Sequence, residues 1–462
     1  MKSIPNQNQS LDRFIGDTIS EKITPSINGN NHSSFSDPAF ASNKTQPIHR
    51  WVPWIAGFSK EFVNDSINRY IDGTGTILDP FAGVGTTLVE SHITGNDSIG
   101  FEINPYAFFS CKTKINSLQI DEGKFNDEIE RFSSFYLKNL NSKYPVHSKV
   151  PQGFKTKIDF YSPKVLHKVL ILMDFVETIE DKNIADLFKL AFTSTMVKYS
   201  NYSYEPSLGT RRGSGKADIE DYDVRAVTVQ KLMEFLKDIA WIKKTVSNQR
   251  VPTSRIINDS FFNYKDHLSK KTVDLIITSP PYLNNYHYNR NTRPQIFWLG
   301  FAHGPADLKP LEESNFGNFW QTVRGKEKID LIFDVPDIDL VEKVELIRKI
   351  NPEKGVYGGS GWANYAVSYF NDCYKFSKGI EYTLKKGGTA LVVIGNSILQ
   401  GVTIPTDEYF AKIAETVGLE IVEIHIPRSK RIGNSIIQSN VRVSKPTKGH
   451  QLYEAIVELK KS

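Results

Sequence analysis

Cysteine is nearly absent: Cys111 and Cys373 are the only two in 462 residues, too few for a disulfide framework or a cysteine-rich zinc site. No apolar run approaches the roughly 20 residues needed to cross a bilayer. The polar N-terminus also lacks the apolar segment of a signal peptide. The expected compartment is therefore a reducing cytoplasm, with no membrane contact. Neither sign of charge dominates. Lys and Arg total 57 against 52 Asp and Glu, a net +5 that suits a polyanionic partner but is shared by many proteins that have none. Nucleic-acid contacts must then come from local patches. No Gly-Lys-Ser/Thr follows the glycine turn at Gly83 and Gly85, which excludes the phosphate loop of nucleotide hydrolases. What remains is an ordinary soluble composition, 39% hydrophobic and 24% charged, on a chain long enough for two or three lobes.

The chain is organised around Asp274 to Tyr282. Its apolar run Leu275 to Ile277 stops at Ser279-Pro280-Pro281-Tyr282. Consecutive prolines lack backbone donors and fix φ, so they cannot continue a central strand. The stretch reads as a buried strand whose carboxyl end opens into a rigid loop, the place where ligands bind in open α/β sheets. Taken alone it is equally a Pro-Pro turn closing a core strand. A second stretch shifts the balance. Thr76 to Thr87, followed by a helical pattern through Leu88, Val89 and Ile93, reads as strand, glycine-containing turn and helix. Such a turn lets backbone approach a ligand and leaves helix N–H groups unpaired. About 20 residues on, Ser98 to Phe101 reads as another strand ending in Glu102, the spacing at which a carboxylate meets ribose hydroxyls in nucleoside-binding folds.

The pairing of Asp79-Pro80-Phe81-x-Gly83-x-Gly85-Thr86-Thr87 with Thr278-Ser279-Pro280-Pro281-Tyr282 resembles the S-adenosylmethionine-dependent DNA amino-methyltransferases, which modify N4 of cytosine or N6 of adenine. The resemblance implies a Rossmann-like α/β sheet, mostly parallel with an antiparallel terminal hairpin, interrupted here by a helical insertion. It also implies that Asp79, Phe81, Gly83, Gly85 and Thr86 surround the methionine part of the cofactor, with Glu102 at the ribose and Asp259 at the adenine. For Asp259 an Asx turn after the strand Ser254 to Ile257 is an alternative reading. Ser279, Pro280, Pro281 and Tyr282 become the catalytic loop: the Ser279 side chain and Pro280 carbonyl accept the amino N–H groups, and Tyr282 stacks on the base. No metal is implied. Cytosine C5 methylation is excluded, because neither cysteine lies in a Pro-Cys loop after a strand.

The segment 106–250 interrupts the sheet pattern with helical periodicity at Val165 to Met173 and Ala226 to Ile242. Within it, Lys198 to Tyr204 and Arg211 to Lys216 interleave tyrosines with basic residues, which suits either phosphate contact and base stacking or a solvated loop. Beyond the catalytic loop, Leu283 to Arg293 is dense in aromatics, amides and arginines. Lys198, Arg211, Arg212, Arg290 and Arg293 are the candidate DNA contacts. A further basic stretch, Arg428 to Lys448, is either a phosphate-contacting or a charged loop. The expected organisation is an irregular arm at 1–46, the first part of the methyltransferase domain at 47–110, and a mainly helical insertion at 111–250 as candidate target-recognition region. The catalytic part follows at 251–300, a second insertion with a candidate DNA contact at 301–360, and the domain's C-terminal part at 361–462. The implied partners are double-stranded DNA and a cognate restriction endonuclease. Ser279 in place of aspartate favours cytosine N4, with adenine N6 the alternative. An RNA or protein-amide methyltransferase and a non-catalytic cofactor-binding nucleic-acid module are the further rivals.

Overall fold

The computed structural model describes residues 35–54, 57–140, 144–204, 207–246, 250–283, 288–429 and 452–462. The main sheet contains β1 (Thr76–Asp79), β2 (Asp97–Phe101), β5 (Ser254–Ile257), β6 (Val273–Thr278), β7 (Leu384–Gly395), β10 (Leu419–Ser429) and β11 (Tyr453–Lys461). Two small hairpins, β3 (Tyr202–Tyr204) with β4 (Leu208–Thr210) and β8 (Ser397–Leu399) with β9 (Val402–Ile404), lie outside it. The strand order is β10-β11-β7-β6-β1-β2-β5. Neighbouring strands from β5 to β7 are parallel, while β11 runs antiparallel between β7 and β10. This is the mostly parallel sheet with an antiparallel terminal pair implied by the motifs. From β1 the chain moves outward to β2, and from β6 it moves the other way to β7, so the direction reverses between β1 and β6. That switch point sets the crevice.

Both faces of the sheet are covered, which explains why its strands read as continuous apolar runs. Side chains alternate across β6. Leu275 and Ile277 join Ile77, Leu391 and Val393 against Phe62, Val63 and Ile67 of α1 (Lys60–Tyr70). Leu78 and Ile276 join Val392 and Ile394 against Phe370, Phe376 and Ile380 of the helix Gly359–Thr383. α1 begins where Ser59 accepts the Phe62 amide at 3.2 Å and caps the helix. β7 opens on an irregular stretch. Its register with β6 jumps from Val273↔Leu384 to Leu275↔Thr389, and a bulge absorbs the residues between. The helix Thr406–Thr416 starts only after Ile404, which pairs with Ser397 in the small hairpin.

After α2 (Thr86–Ile93) and β2, the chain builds α3 (Pro105–Asn116), α4 (Glu122–Leu140), α5 (Pro163–Val176), α6 (Lys182–Thr195) and α7 (Val224–Val246). These share a core in which Phe132, Phe175 and Phe188 meet at centroid distances of 5.2–5.6 Å. Asp238 of α7 ties this core to the segment before α1. Its buried carboxylate accepts from the Ile48 amide and the Trp51 indole, both at 2.9 Å, and pairs with Arg50. Among the described residues, no helix is long and apolar enough to cross a membrane. The arm before residue 35 and the basic residues Lys430, Arg431, Arg442, Lys445 and Lys448 lie outside the described residues.

Gly85 shows how closely the helical insertion abuts the sheet. Its φ is +88°, and a Cβ there would lie 2.5 Å from the Cys111 sulfur of α3. Gly73 also has a positive φ, +76°, but no atom within 4 Å of a Cβ. Gly85→Ala is therefore expected to combine overpacking, about 1–3 kcal/mol, with left-handed strain of about 1–2 kcal/mol; Gly73→Ala carries the strain alone. Urea midpoints check this, and adding Cys111→Ala should recover most of the overpacking part.

Candidate functional site

The carboxyl ends of β1, β2, β5 and β6 open on one cleft, the place where ligands bind in open α/β sheets. Its floor is set by a carboxylate that does not face it. Asp79, at the end of β1, is 1% exposed. It accepts from the Phe81 amide at 3.1 Å, the Thr87 hydroxyl at 2.7 Å and the Thr278 hydroxyl at 2.8 Å. One side chain thus fixes the turn after β1, the start of α2 and the last residue of β6. Burial pushes its pKa up to about 6, against the hydrogen bonds from Thr87, Thr278 and Phe81. From behind, the buried Lys114 of α3 donates to the Val84 carbonyl at 3.0 Å and holds the turn's outer half.

The turn's inner half meets the cleft at Gly83. A Cβ there would approach the Trp54 indole nitrogen to 3.2 Å. Trp54 lines the same wall and stacks on Tyr288, with ring centroids 6.4 Å apart. Glu102 follows β2 and accepts from the Gly83 amide at 2.8 Å and the Asn104 amide at 2.7 Å. Burial pushes its pKa up to about 7, against the backbone bonds and with a smaller contribution from nearby Asp79. Asp259, after β5, is desolvated too, but hydrogen bonds from His267 at 2.8 Å and Asn263 at 2.9 Å hold its pKa below the ordinary value. Beside it, Phe261, Phe262 and Phe316 give the cleft an aromatic wall. Phe262 and Phe316 lie nearly parallel, 6.0 Å apart.

Ser279 and Pro281 reach this cleft from β6. Pro280 is buried, and the Pro281 carbonyl accepts from Tyr369 at 3.0 Å. The Tyr282 hydroxyl lies 3.4 Å from Glu454, while its ring packs within 3.3 Å of where a Gly395 Cβ would sit. Of the residues singled out by motif, Phe81, Gly83, Glu102, Asp259, Ser279 and Pro281 line the cleft. Asp79, Gly85, Thr86 and Pro280 are buried and do not line it, and Tyr282 is half-buried outside the lining. Lining residues not singled out include Phe262, Asn289 and the run Ser314-Asn315-Phe316 from the second insertion. No periodicity marks that run, and only folding brings it to the cleft.

The two aromatic and basic segments meet at the rim. Tyr204 of β3 donates to the Asn291 carbonyl at 2.9 Å, and the Leu208 amide donates to the Asn291 side chain at 3.0 Å. Lys198, Arg212 and Arg290 are exposed; Arg211 and Arg293 are half-buried. Arg212 pairs with Asp218 at 2.5 Å, and Arg293 lies 5.5 Å over the Phe297 ring. Tyr199 and Tyr202 do not fit the stacking role: both are buried, packed in parallel on Tyr161 and Phe160. Their rings serve the core of the helical insertion.

Comparison with known proteins points to DNA methyltransferases. Residues 19–111 match the N6/N4 methyltransferase family model, described as DNA methylase. The chain is 26% identical over 453 residues to Type II methyltransferase M.BsoBI of Geobacillus stearothermophilus, covering 86% of this chain and 83% of that one. It is 27% identical over 423 residues to M.AvaI of Nostoc sp. strain PCC 7120, with 86% and 84% covered. M.MvaI of Kocuria varians is 21% identical over 409 residues, covering 84% of each. Among solved structures, the rRNA methyltransferase AviRa of Streptomyces viridochromogenes superposes with a TM-score of 0.32 at 8% identity, covering 90% of this chain and 92% of that one.

The Asp79 carboxylate makes a testable electrostatic link. Its pKa rises from 3.8 to about 6 on folding, so the folded protein holds the proton more tightly. That stabilisation is complete below pH 3.8 and is lost as the pH rises through 6, by about 3 kcal/mol at 1.36 kcal/mol per unit. Asp79→Asn keeps an oxygen for Phe81 and Thr278 and is expected to remove this slope. Asp79→Ala leaves three buried donors unpaired and is expected to cost several kcal/mol at every pH, at about 1–3 kcal/mol each. Urea unfolding between pH 4.5 and 8 separates the two.

Proposed function

We propose that this chain, one of the DNA amino-methyltransferases, transfers a methyl group from S-adenosylmethionine to N4 of a cytosine flipped out of double-stranded DNA. The observation that carries this is the meeting of Ser279 with Gly83, Glu102 and Asp259 on one cleft from distant parts of the chain. The residues fit the cofactor. Gly83 leaves an open cradle against Trp54, Glu102 offers acceptors for a diol, and Phe262 and Phe316 offer flat apolar surface beside Asp259 for a purine. Bound there, S-adenosylmethionine supplies a methyl carbon made electrophilic by its sulfonium charge.

The protein's part is positioning. A base within a duplex cannot reach the cleft, and flipping it out costs about a few kcal/mol, offset in part by stacking beside Tyr282. The amino nitrogen's lone pair is delocalised into the ring. Ser279 and the Pro280 carbonyl accept its two N–H bonds and draw the nitrogen out of plane, turning electron density toward the methyl carbon. The nitrogen–carbon bond forms as the carbon–sulfur bond breaks, and the extra proton leaves to solvent afterwards, since serine is too weak a base to take it first. The gain therefore comes from orientation and directed hydrogen bonds. Serine at 279 favours cytosine; adenine N6 remains the other target of the same geometry. The rim carrying Lys198, Arg211, Arg212, Arg290 and Arg293 faces the DNA backbone in this reading. The Type II names of the relatives support a place in restriction–modification beside a cognate nuclease.

Incubation with methyl-labelled S-adenosylmethionine and unmethylated DNA, followed by nucleoside analysis, is expected to give N4-methylcytosine. N6-methyladenine would move the target while keeping the site, and label only in RNA or protein would overturn the DNA reading. Ser279→Ala is expected to lower kcat about 10²–10³-fold with cofactor affinity nearly unchanged. Arg290→Ala should weaken DNA binding for all sequences and reduce the salt slope by about one, as read from binding isotherms between 50 and 200 mM salt.

A further inference from the structure

We infer that Asn289 is a cofactor-binding residue, its amide N–H group donating to an oxygen of S-adenosylmethionine. This rests on the reading of the cleft given above. Asn289 is 2% exposed and lines the cleft. Its Nδ2 is buried with no hydrogen-bond partner among the described residues, and an unmet buried donor costs about 1–3 kcal/mol.

The direction of that donor follows from a chain of constraints. Asn104 caps α3: its Oδ1 accepts the Tyr106 and Ala107 amides, both at 3.1 Å. Backbone N–H groups can only donate, so the oxygen of Asn104 is fixed toward the helix and its Nδ2 must point away. That nitrogen donates to Asn289 Oδ1 at 3.0 Å and to Thr292 Oγ1 at 2.9 Å. The oxygen of Asn289 is fixed in turn, and its NH₂ is left for the cleft. Among the described residues no acceptor completes the network, which leaves that place to a ligand. The exocyclic amino group of the target base, itself a donor, cannot fill it; an acceptor of the cofactor or of the base ring can. Asn104 also donates its backbone N–H to Glu102 at 2.7 Å, so the Asn289 amide is coupled to the carboxylate assigned to the cofactor's ribose. The acceptor is accordingly a hydroxyl or carboxylate oxygen of the cofactor.

Calorimetric binding of S-adenosylhomocysteine in the absence of DNA tests the assignment on wild type, Asn289→Ala and Asn289→Asp. Asn289→Ala is expected to weaken binding about tenfold. Asn289→Asp keeps an acceptor for Asn104 but presents a carboxylate that cannot donate, and is expected to weaken binding more, with an unliganded melting temperature close to wild type. Wild-type affinity in Asn289→Asp would overturn the inference, since any loss in the alanine variant would then reflect a slackened Asn104. Unchanged S-adenosylhomocysteine binding in both variants with reduced turnover would likewise overturn it and give the amide to the base. A wild-type protein that binds neither S-adenosylhomocysteine nor S-adenosylmethionine would sink the cofactor reading of the cleft as a whole.

Discussion

The Asp79 carboxylate joins what the sequence separates. Thr87 and Thr278 are far apart in the chain, yet their hydroxyls meet on the two oxygens of one buried side chain. Those two threonines belong to the helix that follows the glycine turn and to the strand that ends in Ser279-Pro280-Pro281-Tyr282. Each motif alone is a strand followed by a turn. Bonded through Asp79, they become two walls of one cleft at fixed separation. The desolvation of Asp79 opposes this arrangement, and three hydrogen bonds offset it. A residue that looks like a ligand contact in a motif thus acts behind the wall, through the groups it holds.

The same division of labour explains how the sheet tolerates a long interruption between β2 and β5. The entropy of closing a loop grows only with the logarithm of its length. A large excursion is therefore admissible provided it folds on itself and returns in register. It does both: α3 to α7 have their own core, and β5 returns to pair Ser98 with Ser254 and Phe101 with Ile257. Contact with the sheet is then concentrated at a few close points. One is Gly85 against Cys111; another is Lys114 on the Val84 carbonyl; a third is Asp238, which fixes the segment leading to Trp54. The insertion braces the turn and the cleft wall from outside.

The parts legible in the sequence are those fixed by local physics. The apolar run ended by Pro280-Pro281 and the turn at Gly83 to Gly85 each state their conformation within a few residues. The fold class follows from their order. What stayed hidden depends on distant contacts. Tyr199 and Tyr202 resemble exposed stacking residues because their neighbours Lys198 and Ser203 are polar, yet they point to the core formed with Phe160 and Tyr161. Phe316 joins the cleft only because Gly317 and Asp372 dock its segment onto the helix Gly359–Thr383, with the Gly317 amide 2.9 Å from Asp372. Asn289 sits in a run of amides and arginines where nothing distinguishes it. Its role emerges from which of its atoms are already committed.

The electrostatics of the cleft bear on what it can hold. Among the described residues, neither Asp79 nor Glu102 forms an ion pair, and both are satisfied by neutral donors. Burial raises both pKa values toward neutrality, and Asp79 adds to the shift of Glu102. A ligand that brings positive charge and hydroxyl donors would reverse the larger part of that cost, because it favours the ionised carboxylates that an empty cleft disfavours. A sulfonium flanked by a ribose has both properties. Loss of the methyl group removes the positive charge while leaving the hydroxyls, so the attraction between the carboxylates and the ligand weakens once the transfer is complete. On the proposed cofactor reading, Glu102, the one of the two acids that lines the cleft, therefore also favours release of the product.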